Sequence, residues 1–314
     1  MNFSFDDNLI KEQLYPFAQI RNAIDIRIGI LTIREKWNAL KIANSSLSLP
    51  GVINSSEIKQ VNSALDIVRL NDWALRQDFA LITSNRRSHS ISSTNKIIAA
   101  ENIFIEDGAI VEYSIINASA GPVYIGKNAE VMEGSMIRGP FALCEGATVK
   151  MGSKIYGATT IGPYSVVGGE IKNSVIFGYS NKAHDGYLGD SVLGEWCNLG
   201  AGTSNSNVKN TAGEIRIWSN ANKAYEAAGT KFGLMLGDYS RAAINTSFNT
   251  GTVVGICSNI FESGFPPKYV PDFSWGKERY ELEKALQDIS NWKKLKKKNL
   301  TEEEKEILKN LYKQ

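Results

Sequence analysis

Histidine is almost missing from this chain of 314 residues, which has only His89 and His184. A zinc centre built on three imidazoles is therefore not expected, and no resident metal is assigned. Cysteine is nearly as scarce. Cys144, Cys197 and Cys257 stand far apart with no CxxC pair, so neither a disulfide framework nor a thiolate zinc site follows, and a reducing compartment fits. No charge of one sign dominates: 35 basic residues face 33 acidic ones, a formal +2, so the net field recruits neither nucleic acid nor an anionic membrane. Long apolar runs are absent too, and MNFSFDDNLIKEQ places Asp6 and Asp7 where a signal peptide needs a basic region and an apolar core. The expectation is a cytoplasmic protein with no membrane partner and no nucleic-acid partner.

What is present is a repeat. At 43% hydrophobic residues the chain can bury a substantial core, and its length suggests two or three structural units. From residue 125 an aliphatic side chain recurs at every sixth position: Ile125, Val131, Ile137, Leu143, Val149, Ile155, Ile161 and Val167. Small residues fill the intervals, as in IGKNAE and VKMGSK, and neither a helical period nor a sustained alternation of two runs through them. Short strands joined by tight corners, each sending one aliphatic side chain into a narrow interior, satisfy this spacing. The fold class is mainly β, a parallel β-helix whose coils stack their inward side chains in columns. The register slips after Val167 and is expected to resume at Tyr187, Leu193 and Leu199, to pause over 205–232, and to return at Leu236, Ala242, Phe248, Val254 and Ile260. The pause is long enough to be a loop outside the prism, placed to contact a partner.

The ends read differently. In IDIRIGI, residues 24–30, isoleucine alternates with other residues, which predicts a half-buried strand, and Ile58, Val61, Leu65 and Val68 recur at helical spacing. Residues 1–95 are read as a small α/β domain, with SNRRSHSISSTN as a solvated linker carrying His89. Residues 96–262 form the β-helix. Residues 263–314 are an extension: SGFPPKYVPDFSWG packs irregularly, Leu282, Leu286 and Ile289 share a helix face, and Thr301 with Glu304 forms a capping box before Ile307, Leu308 and Leu311. The run KKLKKK, residues 293–298, reads as a solvated helix end.

The stretch KAHDGYLGDSVLGEWCNLGAGTSNSN, residues 182–207, closely resembles the signature of the left-handed β-helix acetyltransferase domain of the bacterial bifunctional enzymes that acetylate glucosamine-1-phosphate and then uridylylate the product. The chain as a whole resembles a bacterial family of sugar nucleotidyltransferase-like proteins through RIGILTIREKW, VIFGYSNKAHDGYLGD and FNTGTVVG. The resemblance implies a left-handed prism, a homotrimer with sites between neighbouring prisms, and acetyl-CoA or another acyl-CoA as co-substrate. Carried over position by position, it puts the catalytic base on His184 and a residue near the reacting amine on Asn207. The sugar-phosphate contacts fall on Lys154, Lys172, Tyr187 and Asn198, and the donor contacts on Ala201 and Lys231. Three positions depart from the family: Lys154 replaces an arginine, and Ile244 and Glu262 replace a serine and an alanine on the donor side.

The chemistry agrees with these residue types. An ammonium must lose a proton before it attacks a thioester, and an imidazole titrating near 6.5 is suited to take it. A backbone N–H at Ala201 is placed to stabilise the oxyanion, and lysines hold a phosphate by charge-assisted bonds. Each residue also has a plainer reading. A lone histidine is commonly a corner residue, single lysines are commonly solvated, and asparagine is common at repeat corners. Cys197 reads as a small buried side chain beside Trp196, not a nucleophile. What favours function is the fixed spacing of Lys154 and Lys172 to His184. The resulting reading is a CoA-dependent N-acyltransferase acting on an amino-sugar phosphate or nucleotide-linked amino sugar. Two alternatives stay open. One is a sugar-phosphate nucleotidyltransferase-like protein, needing magnesium, whose N-terminal part is shortened, keeps Arg21 and lacks the glycine loop that wraps nucleotide phosphates. The other is a noncatalytic trimeric scaffold.

Overall fold

The computed structural model describes residues 7–46 and 59–314. Three parallel sheets wind around one axis and make the expected parallel β-helix. The first face has six strands, from Lys96–Ile98 to Tyr187–Gly189. The second has nine, from Ile103–Ile105 to Tyr269–Val270, and the third has ten. Strands of successive coils pair in register, so the same position recurs on each face and inward side chains stack. Val131, Val149 and Val167 form one such column, and Ile137, Ile155 and Ile171 another. All eight aliphatics from Ile125 to Val167 are buried in one continuous core, as are Leu236, Ala242, Phe248, Val254 and Ile260.

The register after Val167 differs from the expected one. Leu188, not Tyr187, turns inward opposite Ile171, while Tyr187 lies opposite Glu170 and faces out. The coils shorten here: the inward places are Val167, Ile171, Ile176, Lys182, Leu188 and Leu193, so the corners at Gly168–Gly169, Asn173 and Asp190 each carry fewer residues than the earlier ones. The column Val149, Val167, Leu199 is then interrupted by a charged residue, because Lys182 pairs with Val167 and is 1% exposed.

The segment 205–232 does not stand clear of its own prism. Ile215–Ser219 and Ala224–Gly229 form an antiparallel hairpin. Ile215, Ile217 and Ala228 bury against Met235 and Val253 of the second face, and Trp218 stacks on Tyr269 at 4.6 Å. Nor is SGFPPKYVPDFSWG irregular throughout: Tyr269–Val270 pairs with Val253–Val254, Ser274–Trp275 joins the third face, and Glu278–Arg279 folds back antiparallel on it.

The N-terminal residues coat the second face. Helices α1 (Asp7–Gln13), α2 (Ile33–Ser46), α3 (Ala64–Arg69) and α4 (Asn71–Thr83) precede the first coil. Of the helical positions read from sequence, Ile58 lies outside the described residues and Val61 precedes α3. In IDIRIGI the alternation correctly marks Ile26, Ile28 and Ile30 as buried, yet the only β pairing is the single bridge Arg27–Thr32. Gly29, at φ +75°, turns the chain there, and its N–H donates to Asn71 Oδ1 at 2.8 Å. Asp78 accepts from the N–H groups of Ile30 and Leu31 at 2.8 and 3.0 Å, so α4 takes the place of a partner strand. RIGILTIREKW therefore works as a docking motif. Thr32 and Glu35 cap α2 reciprocally.

Two helices, α5 (Leu282–Leu295) and α6 (Glu302–Tyr312), lie beside the third face, with Leu286, Ile289 and Leu308 buried and the Thr301–Glu304 capping box in place. The lysine run between them is not simply solvated. Corner residues Tyr164, Tyr179 and Trp196 stack at 5.2 and 4.4 Å, and lysines close over them. Lys293 lies 5.1 Å from the Trp196 ring while pairing with Glu304, Lys298 lies 6.0 Å from Tyr179, and Lys296 donates to the Tyr164 carbonyl at 2.6 Å.

Candidate active site

Three consecutive strands of the first face set the site: Lys154–Tyr156, Glu170–Lys172 and Tyr187–Gly189. Register places Lys154 opposite Glu170 and Glu170 opposite Tyr187, with Tyr156, Lys172 and Gly189 in the neighbouring row. Alternation buries Ile155, Ile171 and Leu188 and turns the flanking residues outward. Lys154, Lys172 and Tyr187 thus share one face. Tyr156 donates to Glu170 at 2.6 Å, and the Lys172 ammonium sits 5.8 Å over the Tyr156 ring.

His184 occupies the corner that leads into Tyr187. It is exposed, and its imidazole has no hydrogen-bond partner among the described residues. Its backbone, by contrast, is fixed from inside. The buried Lys182 ammonium donates to the carbonyls of His184, Asp185 and Gly168. Burial pulls the pKa of Lys182 down to about 8, and Asp185 opposes that shift. Gly169 below has φ +77°, and a Cβ there would lie 2.8 Å from the His184 carbonyl oxygen, so the close approach of the two corners requires glycine.

The next coils continue the edge. The N–H of Gly202 donates to Asp185 O at 3.0 Å and that of Asn245 to Ala201 O at 2.7 Å, so His184, Ala201 and Ile244 follow one another along one corner. Ile244 is 68% exposed and Phe261 48%, which makes the far part of this edge apolar.

Asn207 closes the other side. Its Nδ2 donates to Tyr187 Oη at 3.1 Å and to Asp190 Oδ2, whose second oxygen accepts from Asn173 at 2.6 Å. Because Tyr187 accepts from Asn207, its own proton is free to be donated. Burial, with Asp190 next in effect, pushes its pKa up to about 12 and keeps it a phenol at neutral pH. The Phe232 N–H donates to the Asn207 carbonyl at 3.0 Å, which sets the exposed Lys231 beside the cluster.

Asn198 is not brought to this face within the chain. It lies in the third face between Asn181 and Arg241, and Asn181 is held by Lys296 of the C-terminal region. Cys197 is buried, and burial pushes its thiol up, which leaves it unreactive. His89 is exposed, but its segment is pinned: the His89 N–H donates to Ile105 O at 2.9 Å. Sequence reasoning missed Lys182, Asp190, Asn173 and the Tyr156–Glu170 pair. Only Lys182 left a signal, as a charged residue on an aliphatic column. Among the described residues no cluster of three or more metal-ligating side chains occurs, and no helix is long and apolar enough to cross a membrane.

Fold and sequence make this a parallel β-helix built on a six-residue repeat. Its sequence relatives are the bifunctional enzymes whose signature residues 182–207 resemble. The chain is 29% identical over 278 residues to the bifunctional sugar-1-phosphate nucleotidylyltransferase/acetyltransferase of Sulfurisphaera tokodaii, covering 80% of this chain and 68% of that protein. It is 31% identical over 173 residues to the bifunctional protein GlmU of Rippkaea orientalis, covering 47% of this chain and 37% of the relative, so it spans little more than a third of that protein. A family model described as sugar nucleotidyl transferase matches residues 3–50. Among solved structures, a UDP-N-acetylglucosamine acyltransferase of Francisella novicida aligns with 72% of this chain and 86% of its own, at 15% identity and a TM-score of 0.33.

Proposed function

We propose that the protein is a transferase that moves an acyl group from an acyl-CoA to the amine of a phosphorylated or nucleotide-linked amino sugar, with His184 as general base. The observation that carries this reading is the placement of Lys154, Lys172, Tyr187 and Asn207 around one strip of the prism that ends at the unpartnered imidazole. The two ammonium groups bind the phosphate by charge-assisted hydrogen bonds. Tyr187 donates to a sugar hydroxyl while Asn207, clamped by Asp190, fixes its orientation. His184 takes the proton released as the amine nitrogen attacks the thioester carbon, and can return it to the departing thiolate.

The corner edge fits the donor. The Ala201 N–H has no acceptor among the described residues and points the way to an oxyanion contact, and Ile244 and Phe261 offer an apolar track for a pantetheine arm where the family uses a serine. Lys231 adds a cation for the donor's phosphates. A homotrimer, with Asn198 supplied to the strip from a neighbouring prism, reconciles that residue with the reading, and a cytoplasmic location belongs to the same proposal. Incubation with acetyl-CoA and amino-sugar phosphates or nucleotide-linked amino sugars, read as free CoA thiol, tests it. No turnover above the His184→Ala background on any of these acceptors would sink it.

A nucleotidyltransferase reading is favoured by one observation, the family match over residues 3–50. Arg21, the residue on which that reading leaned, forms a bidentate pair with buried Asp238 at 2.8 and 3.0 Å and a contact to Glu195 at 3.2 Å. It is committed to holding the N-terminal segment on the prism. Magnesium would matter only for nucleotidyl transfer.

A further inference from the structure

The strip of the first face that carries Lys154 and Lys172 continues over three more strands toward the N-terminal end, the last of them Lys96–Ile98. Met136 lies opposite Lys154 and Ile115 opposite Met136, and in the adjacent row Arg138 pairs with Asn117. Together with Tyr156 these residues line a shallow groove of about 280 Å³. Arg138, Lys154 and Lys172 stand on three consecutive strands of this sheet, and none has a carboxylate in ion-pair range among the described residues. The one acid between them, Glu170, accepts from Tyr156. Beside and beyond Arg138 the floor is apolar for two positions, Met136 and Ile115 at 44% and 46% exposed, before Lys96, opposite Ile115, closes the row.

A sugar monophosphate, one ring and one phosphate long, would lie between Tyr187 and the two lysines and leave Arg138 and the groove unused. Strands of adjacent coils are about 4.8 Å apart, so the strip from Tyr187 to Ile115 extends on the order of 20 Å. That length, with cations in its middle and then an apolar stretch bearing one amide, Asn117, short of Lys96, is the complement of a sugar joined through two phosphates to a nucleoside. Resting on the acyl-transfer reading above, we propose that the groove is a nucleoside diphosphate subsite and that the acyl acceptor is a nucleoside-diphosphate-linked amino sugar. Lys172 and Lys154 hold the phosphate next to the sugar. Arg138 grips the second phosphate with its guanidinium fork, which a lysine cannot reproduce. Ile115 and Met136 pack against the nucleoside, and Asn117 can hydrogen-bond its base.

Calorimetric titration of the full chain with UDP and, separately, with glucosamine-1-phosphate tests the subsite without requiring turnover. UDP should bind at least about tenfold more tightly than the sugar phosphate. Arg138→Gln should weaken UDP by about tenfold or more and leave glucosamine-1-phosphate unchanged, while Arg138→Lys recovers only part of the loss. Unaltered melting temperatures establish that these exposed substitutions leave the fold intact. Absence of UDP binding, or equal weakening of both ligands in Arg138→Gln, overturns the subsite. So does an Ile115→Glu variant that changes the sedimentation coefficient but not UDP affinity, because the groove would then be covered by another copy of the chain. If UDP binds as expected but no amino sugar releases CoA, the acyl-transfer reading fails and the nucleotide site stands.

Discussion

The Lys182 ammonium donates to the carbonyl oxygen of His184, two residues further along the chain, from inside the prism. The exposed imidazole is thereby carried on a corner fixed by a buried cation. Replacing Lys182 with Met keeps an unbranched stem in the column and removes the donor. Lysine ordinarily titrates near 10.5, and here burial brings it to about 8. Between those values the unfolded chain binds a proton that the folded chain has released, so this group makes the protein more stable as pH rises through that window. Below about pH 8 both states are protonated and the full burial cost is felt. Thermal melts should show the wild type gaining on Lys182→Met from pH 8 to 10; parallel curves would mean that the lysine stays charged throughout.

His184→Ala removes an exposed side chain that has no hydrogen-bond partner among the described residues. Stability should change by less than about 0.5 kcal/mol. Acyl transfer should fall by roughly 10²–10⁴-fold, the usual contribution of a general base. Thiol release assayed beside a thermal melt checks both, and an unchanged rate would remove His184 from the chemistry.

Asp238→Ala leaves the Arg21 guanidinium inside the protein without its main acceptor. Burial disfavours that charge, and Asp238 with Glu195 more than restores it. Loss of one partner of such a pair is expected to cost about 3–5 kcal/mol. Urea unfolding measures the cost directly. A neutral result would show that Leu14, Phe17 and Ile26 hold the N-terminal segment to the prism without the ion pair.

Lys154→Arg restores the planar fork that the related enzymes place at this position. If Lys154 binds phosphate, KM for the anionic acceptor should fall about three- to tenfold with kcat unchanged, the pattern of an interaction made equally in ground and transition states. Steady-state kinetics at fixed ionic strength separate the two constants. A change in kcat alone would remove Lys154 from the phosphate contact.

The columns from Ile125 to Val167 were legible because an aliphatic residue turns inward at every sixth position and the coils there keep a constant length. Legibility failed where a physical substitution hid the pattern. Lys182 holds an inward place because three carbonyls satisfy its ammonium, so a hydrophobic period skips it and assigns Tyr187 the place that Leu188 takes. IDIRIGI shows burial in its alternation, but a strand also needs an edge to pair with, and side chains of α4 occupy that edge. The lysines of 293–298 look solvated because the rings that receive them, Tyr179 and Trp196, lie about a hundred positions earlier. On the candidate site, the resemblance grouped Lys154, Lys172, Tyr187 and Asn207, and the register that repeats along a parallel sheet puts Lys154, Lys172 and Tyr187 on one face, with Asn207 bonded to Tyr187. The same resemblance grouped Asn198 with them, but a position-by-position carry-over does not reveal which face a coil presents, and within the chain Asn198 lies on the third face.

The small hairpin Ser274–Arg279 gives the third face a particular kind of ending. A parallel coil finishing in an open strand would offer its unpaired N–H and C=O groups to any chain able to extend the ladder, including a copy of itself. Here the last rung is met by the chain's own reversed strand, whose direction no further coil of the same winding can copy. On that face the prism therefore has a built-in stop against growth into fibres, independent of how its subunits associate side by side.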